Sequence, residues 1–244
     1  MKIRKFSQLI PVLFFLAACH HPVSNEVTVT GSLVNGSGMK MILQEMGTKE
    51  VRAVDSIIIG PEGKFAFKPV VSEPGFWLLK APTGKILVMA MEAGDQIDLT
   101  GSAVDFPDNI VLKGPKGAML LNDFFRSTRK NERRVDSLEG LLIDRQDSAG
   151  YYELTRSIDS AFHRIWDQQR LLETTFIRQN PGSLTSLIVL NYAFGMSPVL
   201  SPEEDLACYK SLDSTLSLKY PGNNHVQYHH QRVTEFIRKP PAQK

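Results

Sequence analysis

DQIDLTGSAVDFPDNIVLKGPKGAMLLNDFF, residues 95–125, changes its period part-way along. Ile97 and Leu99 alternate with Gln96, Asp98 and Thr100, the pattern of a strand with one face buried. Past Gly114-Pro115 the apolar positions become Ala118, Leu121, Phe124 and Phe125, spaced for one side of a helix. The chain therefore divides here into a β region and an α region.

Towards the N-terminus the period of two recurs. Val27, Val29 and Leu33 fall on one face with Thr28, Thr30 and Ser32 on the other, and Phe65 and Phe67 stand between Lys64 and Lys68. Turn residues close these runs at Asn35-Gly36-Ser37-Gly38, Gly60-Pro61-Glu62-Gly63, Pro74-Gly75, Thr83-Gly84 and Ala93-Gly94-Asp95. Eight strands are expected, near residues 26–34, 40–46, 51–59, 63–69, 75–81, 85–91, 95–100 and 109–113. Short strands at this spacing predict an antiparallel β-sandwich or barrel-like domain over 26–114.

Towards the C-terminus, Val135, Leu138, Leu141 and Leu142 extend the first helical segment, and a second runs from Tyr151 through Ile158, Phe162, Ile165, Leu172 and Phe176 to Asn180-Pro181-Gly182. Two long antiparallel helices joined near residues 147–150 follow. Three shorter helices are expected: one capped by Ser183, one opened by the capping box Ser201-Pro202-Glu203-Glu204, and one capped by Asn223 or Asn224. The fold class is α+β: a β-sandwich domain, an α-helical region over 115–238 and a linker-like tail at 239–244.

The first 18 residues read as an export signal, with Lys2, Arg4 and Lys5 ahead of an apolar stretch too short to span a bilayer. It ends in Leu16-Ala17-Ala18-Cys19, which resembles the bacterial lipobox; the resemblance makes Cys19 the lipidated first residue of the mature chain. Residues 19–25 are then a short tether. Acyl chains contribute about 0.8 kcal/mol per buried methylene, so two or three of them would hold the chain on a membrane.

Composition narrows the classes further. At 244 residues, 42% hydrophobic and 22% charged, with 17 Gly and 14 Pro, the chain is of ordinary globular make-up, which excludes disorder and collagen. Loss of the three leader cations turns the formal charge of +2 into −1, so nucleic acid is not an expected partner. The only cysteines are Cys19 and Cys208. With Cys19 acylated no intramolecular disulfide can form, and Cys208, in the apolar Leu206-Ala207-Cys208-Tyr209, is expected to pack as a small hydrophobe.

The order of several motifs resembles one known module. The lipobox, Val27-x-Val29-x-Gly31, Val54-Asp55-Ser56-Ile57, Gly63-Lys64-Phe65-Ala66-Phe67, Glu92-Ala93-Gly94-Asp95-Gln96-Ile97 and Asn180-Pro181-Gly182-Ser183-Leu184 follow one another as in the N-terminal domain of unknown function, with helical extension, of bacterial envelope lipoproteins of the thiol-disulfide interchange type. In that family a thioredoxin-like domain with Trp-Cys-x-x-Cys normally follows the helices. Here Lys244 stands where it would begin, and neither Trp77 nor Trp166 precedes a Cys. The resemblance implies a non-catalytic binding or accessory module, with a truncated or split oxidoreductase as the alternative. It also implies the cell envelope, where the periplasmic face is expected over the cell exterior because the residues immediately after Cys19 are not acidic, and the outer membrane is the expected carrier.

Candidate site residues are few. Arg126, Arg129, Lys130, Arg133 and Arg134 have spacings that place five cations on one side of the first long helix, a candidate surface for anionic head groups, an acidic glycan or an envelope partner. The plain alternative is a solvated face balanced by Glu132, Asp136, Glu139 and Asp144. His225 and His229 are four apart, but the residues between them lack the glutamate of a zinc-protease motif, so no metal is expected; His230 falls on another face, and His20 and His21 on the tether. Asp55-Ser56 lacks a nearby histidine, Asp95 suits a turn, and Asp105 and Asp108 occupy a Pro-containing loop. No Gly-x-Ser-x-Gly, phosphate loop or dinucleotide fingerprint is present, so neither catalysis nor a cofactor is expected.

Overall fold

The computed structural model describes residues 25–145, 150–195 and 197–239. Eight strands come first: β1 (Thr28–Val34), β2 (Lys40–Met46), β3 (Val51–Ile58), β4 (Lys64–Phe67), β5 (Gly75–Lys80), β6 (Ile86–Met91), β7 (Gln96–Ser102) and β8 (Val111–Lys113). They form two open four-stranded sheets, in the orders β4-β1-β7-β8 and β3-β2-β5-β6, and no barrel closes. The inward positions Val29, Leu33, Met41, Leu43, Phe67, Leu79, Leu87, Met89, Ile97 and Leu99 fill the space between them. Alternation along the strands thus becomes one core and, on the outer face of the first sheet, a polar surface carrying Lys64, Asp98 and Thr100.

One pairing departs from the antiparallel expectation. β1 runs parallel to β7 across seven residue pairs, from Thr28 opposite Gln96 to Val34 opposite Ser102. After β1 the chain crosses to the second sheet for β2 and β3, returns for β4, crosses again for β5 and β6, and comes back to the free edge of β1 in the original direction. Period alone cannot reveal such a partner, because parallel and antiparallel neighbours impose the same alternation of faces.

The helices are α1 (Lys116–Arg145), α2 (Tyr151–Gln179), α3 (Thr185–Leu190), α4 (Pro202–Lys219) and α5 (Asn224–Arg238), with a two-residue hairpin ladder, β9 (Ala193–Phe194) and β10 (Ser197–Pro198), after α3. Gly150 precedes α2 in the left-handed region, φ 88°; residues 147–149 of the expected connection lie outside the described residues. The helices form a third layer on the outer face of the second sheet. Phe76 of β5, with Val88 and Ala90 of β6, joins Leu121, Phe124, Leu187, Leu190, Leu212, Leu216 and Val226 in a second core. This explains why five consecutive residues of β5, Gly75 to Leu79, are buried.

Side-chain caps open α4 and α5. Asn223 accepts from the N–H groups of His225 (3.1 Å) and Val226 (3.3 Å), and Ser201 Oγ accepts from Glu204 N (3.3 Å). The reciprocal bond to Ser201 N comes from Asp205 (3.0 Å) and not from Glu204. Ser183 does not cap α3: the helix begins at Thr185 without a side-chain cap, and the Ser183 hydroxyl lies 2.7 Å from that of Thr185. No helix among the described residues is long and apolar enough to cross a membrane.

Candidate functional site: the junction cleft

Three turns converge where the sandwich meets the helices. Glu92-Ala93-Gly94-Asp95 links β6 to β7; Gly94 takes φ 82°, and the Asp95 carboxylate accepts from Glu92 N at 2.8 Å. Asp95 thus does the turn work expected of it. Burial nonetheless raises its carboxyl above the ordinary range, opposed by that same N–H. Gly114 carries the chain from β8 into α1 at φ 150°, where a Cβ would stand 2.7 Å from Gln96 O, so the close approach requires glycine.

Asn180 closes α2. Its N–H donates to Phe176 O (3.0 Å) and Ile177 O (3.2 Å), and its carbonyl accepts from Ser183 N (3.0 Å) and Ser186 Oγ (2.8 Å). Lys219, at the end of α4, donates to Gly182 O (2.6 Å) and stacks over Tyr220 at 4.9 Å. Between these turns opens a cleft of 470 Å³, lined by Glu92, Asp95, Lys116, Asn180, Ser183 and Lys219 among others. Motifs 90 residues apart in sequence therefore share one wall.

Two ammonium groups, two carboxylates and the first turn of α1, which carries no acid, line the cleft. Among the described residues no imidazole or thiol lines it, and the Ser183 and Thr185 hydroxyls do. Among the described residues no group of three or more His, Cys, Asp or Glu could hold a metal ion.

The five cations of α1 are not brought together as one surface. Arg129 is buried, pairs with Asp108 at 3.1 Å and donates to Pro107 O at 3.0 Å, fastening α1 to the loop before β8. Arg134 turns to α2, donating to Gln168 at 2.7 Å, and Arg133 Nε lies 3.4 Å from Arg129 O. Arg126, Lys130 and Arg133 are exposed, three cations rather than five. Cys19, His20 and His21 lie outside the described residues.

The histidines have local partners. His229 is buried against Tyr209, His225 meets Phe76 edge-on at 4.9 Å, and His230 lies 3.0 Å from Asp213. Burial lowers the pKa of both His225 and His229. Cys208 is half-buried at the rim of the second core; burial, reinforced by Asp205, pushes its thiol up. Asp55 accepts from Ser56 N at 2.7 Å in an exposed strand, and Asp105 accepts from Asn109 at 3.3 Å.

Sequence reasoning missed a polar seam between α1 and α2. Gln169 donates to Thr128 (3.1 Å) and Glu173 (3.0 Å) and accepts from Asn131 (3.1 Å), all four residues being buried. Beside it Tyr192 donates to Glu132 at 2.6 Å. The available signal was the spacing of four through Ile165, Gln169, Glu173 and Ile177, which places two polar residues on the buried stripe of α2.

The class this geometry defines is an α+β fold of two stacked sheets and a helical layer, with a polar cleft at their junction. A family model described as domain of unknown function DUF4369 matches residues 27–121, which supports an N-terminal domain of unknown function. The match takes in both sheets and the start of α1. No curated protein matches the chain.

Proposed function

We propose that this chain is a lipid-anchored, non-catalytic module of the bacterial cell envelope, held through Cys19 with its fold in the periplasm and docking a ligand or partner protein at the junction cleft. The outer membrane is the favoured carrier, and the accessory role belongs with the thiol-disulfide-interchange type of lipoprotein. One observation carries the non-catalytic reading: once Cys19 is acylated, Cys208 is the sole thiol, half-buried with its pKa raised, the opposite of a nucleophilic or resolving cysteine. The motif order before and within the matched domain supports the anchor.

The test is expression of the full chain in a bacterium fed labelled palmitate, followed by an insulin-reduction assay on the purified protein. Label should enter the wild type and not Cys19→Ala, and insulin should stay oxidised. An unlabelled wild type removes the anchor; measurable insulin turnover removes the non-catalytic reading and favours the redox one.

A further inference from the structure

The first described residues root the fold at one end of the molecule. Asn25 O accepts from Val71 N (2.7 Å), Val27 N donates to Pro69 O (2.8 Å), and Thr28 N donates to Asp95 O (2.9 Å). Asp95 lines the junction cleft with Pro74, Lys116, Gly182, Lys219 and Tyr220. The point where the chain enters the fold and the mouth of the cleft therefore belong to the same end.

The far parts of the molecule lie well away from that root. α1 starts there and its 30 residues extend about 45 Å; α5 also starts there, with Asn224 N donating to Glu73 (3.2 Å), and its 15 residues carry Lys239 about 22 Å off. Cys19 is six residues from Asn25, and six residues span at most about 20 Å.

From this we infer that the cleft end is the face that meets the lipid bilayer, with Val70, Leu218, Lys68, Lys116 and Lys219 at the interface. The inference rests on acylation of Cys19 and adds what the anchor alone does not specify, the orientation of the fold. Val70 is 69% exposed and Leu218 86%, two apolar side chains without cover on a face flanked by exposed lysines. Lysine stems lie along an apolar boundary while their ammonium groups stay in water, which suits this composition to a headgroup layer. Glu92 and Asp95 stand among the lysines, so the tether and the apolar tips hold the face down, not a surplus of positive charge. Two functional consequences follow: a cleft ligand reaches the protein from the membrane interface, and α5 leads away from the bilayer.

The test uses the full lipidated chain with Cys208→Ser, carrying single cysteines at Val70, Leu218, Ile143 or Ile237, each labelled with a fluorophore and reconstituted into phosphatidylethanolamine–phosphatidylglycerol vesicles containing headgroup-region quencher lipids. Quenching should be severalfold stronger at Val70 and Leu218 than at Ile143 and Ile237. Equal quenching at all four, or stronger quenching at the distal pair, in protein that sediments with the vesicles overturns the orientation and leaves the anchor standing. Failure to sediment overturns the anchor and the orientation with it. Unsubstituted lipoprotein gives a second readout: tryptic cleavage at Lys116 and Lys219 should be slower on vesicles than in detergent, whereas cleavage at Arg238 should be unchanged, and equal slowing at Arg238 counts against the orientation.

Discussion

Gly31 has a structural duty that its neighbours in β1 do not share. It stands opposite Phe65 of β4, whose ring fills the space a side chain would need: a Cβ on Gly31 would lie 2.2 Å from Phe65 Cζ. Phe65 is itself buried and packs edge-on against Phe67 at 6.0 Å, so its ring cannot swing out without opening the core. Gly31→Ala should destabilise the protein by about 2 kcal/mol, the usual scale for overpacking a filled core. Urea denaturation followed by tryptophan fluorescence measures it. Phe65→Leu in the same chain should recover part of the loss, because the two side chains compete for one volume. A Gly31→Ala protein as stable as wild type would mean that the ring moves freely, contrary to its packing.

At the scale of elements, periodic strands and helices were legible because each presents one face to a core, and the turns between them use Gly, Pro, Asn and Asp for stated backbone reasons. β2 and β6 fall almost where alternation puts them, and α2 ends at the Asn180-Pro181-Gly182 stop. The parallel partnership of β1 and β7, the β9–β10 ladder and the inward turn of Arg129 were not legible, since each depends on a neighbour remote in sequence. The cleft was half legible: its turns were visible one by one, their convergence was not. The α1–α2 seam shows what burial does to a polar residue that pattern reading passes over. Glu173 is fully buried and its Oε2 has no hydrogen-bond partner among the described residues, and burial pushes its pKa up to about 8 against the pull of Gln169 and Arg170. The folded state therefore keeps a proton that the unfolded chain, near 4.5, gives up, and stability falls as pH rises from about 4.5 to 8. Glu173→Gln has nothing to ionise, so it should lack that component of the decline and gain about 4 kcal/mol over wild type at pH 8 relative to pH 4.5. Parallel urea titrations of the two proteins across that range check it; identical pH profiles would show that Glu173 ionises freely.

At the scale of the whole molecule, the boundary at Gly114-Pro115 separates kinds of secondary structure without separating cores. The second sheet serves two layers: Leu79 and Met89 face the first sheet, while Phe76, Val88 and Ala90 face the helices. Phe76 is 1% exposed, clustered with helix residues such as Leu121, Leu187 and Val226, and Asn223 of the helical region donates to Pro74 O at 2.6 Å. A fragment of residues 25–114 would keep all eight strands and uncover this apolar face. Burying a single large apolar side chain contributes about 1.5–3 kcal/mol, and a bared contiguous patch promotes association. The fragment should therefore bind a hydrophobic dye such as anilinonaphthalene sulfonate and elute as aggregates on gel filtration, whereas residues 25–239 should do neither. Co-expression with residues 115–239 as a separate chain should rescue it, since the contacts at stake are noncovalent. A soluble, dye-silent fragment would make the sandwich an independent unit, and the helical layer would then be an appendage to it instead of the cover that completes the fold and shapes the cleft.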